Sequence, residues 1–299
     1  MKSLYKSELG REEILQLYDK KLESLDIDYE YMTVHTAFGA TNIIVTGDLE
    51  NPSIFLIHGS NGCAPISLET YPNLHKSYRV YAVDVLAQPN KSAETRLSMK
   101  DESYGKWMNE IIDKLNLDSV TLAGFSFGGL VILKTLEYDE SKIKEVYLSA
   151  PAYIVNGNPI KALIKVFIPM KRFMKTKKMR HLEKFLSNLF TERDEFALGF
   201  LKKVIPEFEM DFTPVLIIDT RKAKSITTPI TIFAAKEDIL FPGKKMLERA
   251  SKIFPSLKEI KLFEKSKHVQ NKAQNKIVEE VILNKKRATI TVADPAAAG

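Results

Sequence analysis

The sequence predicts an α/β fold in which a mainly parallel central sheet is flanked by helices on both faces. Short runs rich in Val, Ile and Phe recur along the 299 residues, and helix-like segments separate them. Buried strands that alternate with helices pair in parallel, because a crossover helix returns the chain to the same edge of the sheet. The chain is 44% hydrophobic, which is enough to fill such a core. The expected strands begin at residues 54, 79, 119, 145, 229 and 258.

Elements ahead of the first buried strand are also indicated by their spacing. Residues 1–25 alternate charged and apolar side chains, which favours an amphipathic helix and lacks the apolar stretch of a secretory signal. Residues 29–38 and 40–48 are typical of two strands, and Gly39 between them can adopt the turn of an antiparallel hairpin. Two further helices are expected at residues 104–116 and 127–138.

The strand pattern stops in the middle of the chain, where helix-like segments with Phe, Met and Leu follow. We therefore expect an inserted helical subdomain at residues 152–226, between two parts of an α/β core at 1–151 and 227–285. Within the insertion, residues 213–222 remain open, because "TP" at their start favours a helix and "VLII" favours a strand. Residues 286–299 show no periodicity, so we expect a disordered tail or a remnant of cloning.

Composition excludes several classes of protein. No stretch approaches the 18 or so apolar residues that a membrane span requires, so a soluble protein is expected. A single cysteine, Cys63, cannot form an internal disulfide, which favours a reducing, cytoplasmic location. The cysteine has no partner for a cluster and the five histidines are scattered singly, so a metal site is not expected.

The net charge of +6 is unevenly distributed. Residues 161–184 hold nine Lys and Arg against one acid, Glu183, with apolar side chains between them. A solvated helical face is the favoured interpretation. Attraction to an anionic membrane surface is the less favoured alternative, and nucleic acid is not expected, because no recognition motif accompanies the charge.

The segment "LAGFSFGGL" at residues 122–130 places Ser126 in a Gly-x-Ser-x-Gly motif. The motif alone is weak, but here it lies between an expected strand at 119–124 and the expected helix at 127–138. That setting is typical of a nucleophile elbow, a sharp turn that presents a serine hydroxyl at the end of a strand. Such a turn needs neighbours without bulk, and the chain supplies Gly124, Gly128 and Gly129.

A serine hydroxyl needs a base, and the base needs a carboxylate that orients it. Asp238 follows the strand at 229 and His268 follows the strand at 258, so both are expected at the same edge of the sheet as Ser126. The order Ser, Asp, His along the chain is that of one specific architecture. Glu237 and Asp219 are the alternatives for the carboxylate. None of three other histidines follows the last strand: His35, His75 and His181.

Acyl transfer also requires N–H groups that stabilise an oxyanion. The loop "IHGSNG" follows the first buried strand, and the N–H of Ser60 is the expected donor from this loop, with Asn61 as the alternative. Phe127, next to the proposed nucleophile, is expected to supply the second N–H. His58 is expected to orient the loop rather than to act as a second base.

With "HGSNG", "VDVLAQPNKS", "GFSFGG", "KEDILFP" and "SKHV" in this order, the chain resembles the α/β-hydrolase-fold superfamily over residues 29–283. The segments "LYDKKLESL", "TVHTAFGATNIIVTG" and "YRVYAVDVLAQPNKS" are most similar to bacterial carboxylesterases. The resemblance implies a helical cap at 152–226, hydrolysis of small esters through an acyl-enzyme, and no cofactor. Dehalogenases and epoxide hydrolases of this fold carry Asp where this chain has Ser126.

The resemblance leaves other activities open. The same machinery would suit a thioester, a lactone, an amide or a carbon–carbon bond, and a hydrolase-like scaffold that only binds a ligand is a further alternative. Two loops also depart from the family pattern. The chain has "LAQPN" after Asp84 and Lys267 before His268, where relatives often carry glycine.

Overall fold

The structure is a computed structural model that describes residues 3–292, with side chains described up to residue 284. Its centre is an eight-stranded sheet in the order β1-β2-β4-β3-β5-β6-β7-β8. The strands are β1 Glu30–Thr36, β2 Gly39–Thr46, β3 Ser53–Ile57, β4 Arg79–Val83, β5 Val120–Phe125, β6 Ile143–Ser149, β7 Ile230–Ala235 and β8 Leu257–Phe263.

The sheet is mainly parallel. Strand β2 pairs with β1 and with β4 in antiparallel fashion, whereas the six strands β3 to β8 pair with one another in parallel. The helices are α1 Glu8–Glu23, α2 Ala64–Thr70, α3 Ser103–Lys114, α4 Phe127–Tyr138, α5 Pro159–Ala162, α6 Ile168–Thr176, α7 Met179–Leu189, α8 Glu195–Glu207, α9 Thr220–Ser225, α10 Gly243–Ile253 and α11 Lys272–Val292. The predicted fold class is confirmed.

The amphipathic first helix and the hairpin are also confirmed. Helix α1 buries Ile14, Tyr18 and Leu22 against the core, as the spacing of its apolar residues requires. The hairpin turns at Gly39, whose φ of 126° lies in the region that favours glycine. The helices expected at 104–116 and 127–138 correspond to α3 and α4.

Between β6 and β7 the chain forms helices α5 to α9, with a π-helical turn Leu163–Phe167 joining α5 to α6. Residues 211–219 form neither a helix nor a strand. Of residues 213–222, which the sequence left open, only 220–222 are helical, at the start of α9. This segment runs along the surface, where the Ile218 N–H donates to the Tyr153 carbonyl and the Val215 carbonyl accepts from Asn156 Nδ2. Its backbone groups thus bond to the preceding loop rather than to a strand edge.

The C-terminal helix reaches into the segment that the sequence sets aside as a tail. Helix α11 ends at Val292, so the tail expected at 286–299 begins inside it. Residues 293–299 lie outside the described part of the chain. Within residues 3–292, no helix combines the length and the apolar character that crossing a bilayer requires.

Helix α4 packs unusually close to the end of β3. A Cβ built on Gly128 would lie 2.1 Å from the Ile57 carbonyl oxygen, which is a backbone atom that cannot move aside. Glycine at 128 therefore sets how near the helix comes to the sheet. By contrast, a Cβ on Gly199, within α8, would meet nothing within 4 Å.

These two helical glycines give a matched test of the close contact. We expect Gly128→Ala to lower the free energy of unfolding by more than about 3 kcal/mol, because the sheet and helix must separate. Gly199→Ala should raise it by about 0.5–1 kcal/mol through helix propensity alone. Urea unfolding followed by circular dichroism measures both, and equal effects of the two substitutions would contradict the packing argument.

Candidate active site

Ser126 lies on a strained turn between β5 and α4. Its φ of 53° and ψ of −110° are rare for a residue with a side chain and cost about 1–3 kcal/mol. Backbone hydrogen bonds hold the turn: the Ser126 N–H donates to Ser149 O at 2.9 Å, and its carbonyl accepts from Gly129 N and Ala152 N. The turn places the hydroxyl at the carboxyl end of β5. The loops after β7 and β8 lie at the same edge of the sheet, because these strands are parallel to β5.

His268 joins Ser126 to Asp238. Its Nε2 lies 2.9 Å from Ser126 Oγ, and its Nδ1 lies 2.7 Å from Asp238 Oδ2. Because a carboxylate only accepts, the Nδ1–H donates to Asp238, and Nε2 is left to accept the serine proton. The exposed fractions of the three residues are 7%, 5% and 4%, for Ser126, His268 and Asp238 in turn, so the contacts are shielded from water.

The carboxylate of Asp238 is fixed by its own loop. Oδ1 accepts the N–H groups of Leu240 at 2.7 Å and Phe241 at 3.0 Å, which leaves Oδ2 free for the imidazole. The two alternatives from the sequence lie elsewhere. Glu237 is exposed, and Asp219 is an exposed residue that caps helix α9.

Aromatic rings surround the imidazole of His268. The Phe125 ring lies 5.1 Å from it between centroids, and the Phe241 ring lies 5.5 Å from it. Both rings present apolar surface, so they lower the local polarity and strengthen the hydrogen bonds of His268. Within the part of the chain whose side chains are described, no group of three or more His, Cys, Asp or Glu residues is arranged to hold a metal ion.

Ser60 and Phe127, the residues expected to supply N–H groups, lie next to the elbow along the chain or in the loop that contacts it. A Cβ on Gly59 would come within 3.4 Å of Ser126 Cβ, so the loop that carries Ser60 touches the elbow. Among the hydrogen bonds of residues 3–292, none uses the N–H of Ser60 or of Phe127. Asn61, the alternative donor, is engaged, since its N–H donates to Gln88 Oε1 at 2.7 Å.

His58 holds this loop through hydrogen bonds to the backbone. Its Nε2 accepts the Val85 N–H at 3.0 Å, which requires the proton on Nδ1, and Nδ1 then donates to the Gly59 carbonyl at 2.7 Å. Burial lowers the pKa of His58 to about 4, so the ring is neutral at pH 7. The ring contacts the loop backbone rather than Ser126, as expected of an orienting residue.

Asp84 is a second buried polar group under the same loop. It accepts from Ala64 N at 2.7 Å, at the start of α2, and from Asn42 Nδ2 at 2.8 Å on β2. Burial raises the pKa of Asp84 to about 6. Asp84 directly follows β4, so its carboxylate joins β4 to β2 and to the start of α2, which comes just after the loop of residues 58–62.

Thr191 forms hydrogen bonds with the residues on both sides of His268. The sequence did not indicate a role for Thr191. Its hydroxyl accepts the Lys267 N–H at 3.0 Å and donates to the Val269 carbonyl at 2.7 Å. The Thr191 N–H also donates to Val269 O, at 2.9 Å. One side chain from the helical insertion therefore fixes the residues on both sides of the histidine.

Comparisons with known proteins agree with the α/β fold described above. A family model described as the alpha/beta hydrolase fold matches residues 52–181. Carboxylesterase YbfK of Bacillus subtilis (strain 168) is 32% identical over 140 residues, which are 46% of this chain. The match spans about half of that relative's length, 46%.

Two further similarities extend over nearly the whole chain. The uncharacterized carboxylesterase nap of Bacillus subtilis (strain 168) is 23% identical over 287 residues, 90% of each protein. The crystal structure of naproxen esterase (carboxylesterase NP) from Bacillus subtilis superposes with a TM-score of 0.81 at 20% identity. That superposition covers 94% of this chain and 99% of the esterase.

The bracket around His268 can be tested by isosteric substitution. We expect Thr191→Val to slow the labelling of Ser126 by a fluorophosphonate about 10- to 100-fold, because a displaced imidazole no longer meets the serine hydroxyl. Thr191→Ser keeps the hydroxyl and should label at nearly the rate of the unsubstituted protein. The pH profile of labelling is the second measurement. If Thr191→Val lowers only the melting temperature and leaves rate and pH profile unchanged, Thr191 does not position His268.

Burial of neutral His58 makes stability depend on pH. The folded protein resists protonation of this ring, so its contribution is complete above pH 6.5 and is lost as pH falls toward 4. We expect His58 to account for a loss of about 2–3 kcal/mol in unfolding free energy between pH 8 and pH 4.5. The raised pKa of Asp84 acts in the opposite direction over pH 4 to 6. Comparison with His58→Gln by urea unfolding at both pH values isolates the histidine, and an equal loss in that variant would contradict the assignment.

Proposed function

The chain belongs to the α/β-hydrolase-fold superfamily, and from this premise we propose that it is a serine carboxylesterase that acts on small-molecule esters. The observation that carries the proposal is the continuous hydrogen-bonded path from Ser126 through His268 to Asp238, at 2.9 and 2.7 Å. The similarity to carboxylesterases supports the choice of ester over other acyl bonds.

In the proposed mechanism Ser126 attacks the ester carbonyl while His268 Nε2 takes the hydroxyl proton. Asp238 stabilises the imidazolium that forms, and its carboxylate needs no rearrangement, because Leu240 and Phe241 already hold it. The imidazolium then protonates the leaving alcohol. Water attacks the acyl-enzyme in the second half of the cycle, with His268 again as the base.

We assign the oxyanion to the N–H groups of Ser60 and Phe127. Both are without another acceptor among the described residues, as a preorganised donor must be before substrate arrives. Phe127 is the first residue of α4, so the partial positive charge of a helix N-terminus adds to its N–H. His58 maintains the Ser60 loop through the Gly59 carbonyl.

The helical insertion at 152–226 is proposed to act as a cap over this site. It leaves the sheet at the carboxyl end of β6 and contacts the His268 loop through Thr191. Two of its aromatic residues, Phe173 and Phe200, are buried in a hydrophobic cluster that the insertion shares with α1 and the sheet. Phe167 and Met174 are only partly buried, so they are better placed to contact an acyl or alcohol group.

Substitution of the proposed nucleophile tests the mechanism. We expect Ser126→Ala to lower kcat/KM for p-nitrophenyl acetate and butyrate at least about 10⁴-fold, because among the described side chains no other hydroxyl is bonded to His268. Ser251→Ala, on the exposed face of α10, is the matched control and should retain full activity. Hydrolysis that survives Ser126→Ala would exclude the serine mechanism. Absence of hydrolysis in the unsubstituted protein would favour another acyl bond or a protein that only binds its ligand.

The carboxylate is tested independently. We expect Asp238→Asn to lower kcat about 10⁴-fold with little change in KM, because the amide would donate to Nδ1 and impose the wrong tautomer on His268. Glu237→Gln, at the exposed neighbour, is the control. Equal effects of the two substitutions would contradict the assignment of Asp238.

A further inference from the structure

A row of large apolar side chains on the insertion points to solvent. Ile160, Leu163 and Ile164 are 66%, 51% and 56% exposed, although spacings of three and four residues place them on one side of α5 and the π-helical turn. Ile168, at the start of α6, is also exposed. A helix in a globular protein normally turns such a stripe toward the core, so this one is unpartnered.

A second exposed apolar stretch lies beside the first. Phe212, Leu216 and Ile217 belong to the irregular segment 211–219 and are each more than 40% exposed. The Phe212 ring lies 6.1 Å from the Phe167 ring, and the Val215 carbonyl accepts from Asn156 at the base of α5. The two stretches together form what we call the insertion face, which consists of Ile160, Leu163, Ile164, Ile168, Phe212, Leu216 and Ile217.

Positive charge lies in the same helical segment as the first stretch of the insertion face. The nine Lys and Arg of residues 161–184 are all exposed, and with one acid among them this segment carries more net positive charge than the whole chain, at +6. Of the ion pairs between described residues, none involves any of the nine. These charges are therefore free to meet an external partner.

We propose that the insertion face is a docking surface for an anionic lipid membrane, on which the protein lies without crossing it. Exposed Ile, Leu and Phe can enter the boundary between headgroups and acyl chains, while the Lys and Arg of residues 161–184 meet anionic headgroups. A second copy of the chain would bring the same cluster of positive charge against itself. Nucleic acid would satisfy the charges but leave the apolar side chains in water.

The insertion face begins next to the candidate active site. Gly157, just before α5, donates its N–H to the Leu240 carbonyl at 2.7 Å, and Leu240 itself donates to Asp238. A membrane bound at this face would therefore lie beside the loop that holds the carboxylate. The binding itself does not depend on the proposed esterase activity, so each proposal can fail without the other.

Vesicle sedimentation tests the docking surface, with Ser126→Ala as the background so that no ester is consumed. The probes are vesicles of phosphatidylcholine alone and with about one third phosphatidylglycerol. We expect binding to the anionic vesicles only, and its loss in 0.5 M NaCl, where the charges are screened. The paired substitution Leu163→Glu with Ile164→Glu should weaken binding at least about 10-fold, and so should Lys161→Glu with Lys165→Glu.

Matched controls lie on other surfaces. Leu9→Glu with Leu49→Glu changes two equally exposed leucines, and Lys245→Glu with Lys252→Glu changes two exposed lysines, so both should bind as the background protein does. If the helical pair disturbs folding, Phe212→Ser with Leu216→Ser tests the same face on the irregular segment. No binding to anionic vesicles, or equal loss in variants and controls, would overturn the proposal. A dimer in light scattering that Leu163→Glu with Ile164→Glu abolishes would assign the face to a second copy instead.

Discussion

The tight turn at Ser126 is the constraint on which the rest of the structure depends. A residue with a side chain is held at a φ of 53° because the end of strand β6, helix α4 and the loop after β6 all form hydrogen bonds with its backbone. The same turn brings the first N–H of α4 and the Ser60 loop to one place, and the closeness of Gly128 to Ile57 keeps the helix there. The strain is offset by packing elsewhere and is concentrated where chemistry is proposed.

Two supports, built in different ways, hold the groups around that turn. Below the Ser60 loop, His58 and Asp84 are buried and bond to backbone, so this side is preorganised by the core. On the other side, the His268 loop is bonded to the insertion through Thr191. The position of the Ser60 loop thus depends on the core of the sheet, whereas the position of the His268 loop depends on the helices of the insertion.

The sequence was sufficient for the sheet class and for bringing Ser126, Asp238 and His268 to one edge, because each follows a recognisable strand and parallel strands end together. It could not indicate Thr191, which lies in an insertion without a motif and acts through two hydrogen bonds that only folding creates. Nor could it decide residues 213–222, where local propensities conflicted and hydrogen bonds to the loop of Tyr153 and Asn156 hold the first part of the segment. The sequence also could not show that the apolar stripe at residues 160–168 is exposed to solvent. Periodicity shows which residues share one side of a helix, but not whether that side contacts the core or water.

The bond between Thr191 and the histidine loop has a consequence for how this architecture can diversify. An insertion between two strands can in general be exchanged, because the two strands pair with each other without contacts from the inserted residues. In this chain, replacement of the insertion would also remove the hydrogen bonds of Thr191 to Lys267 and Val269. A new insertion would need a hydroxyl at the same position to keep the imidazole of His268 aligned. The insertion and the histidine loop of this chain must therefore change together.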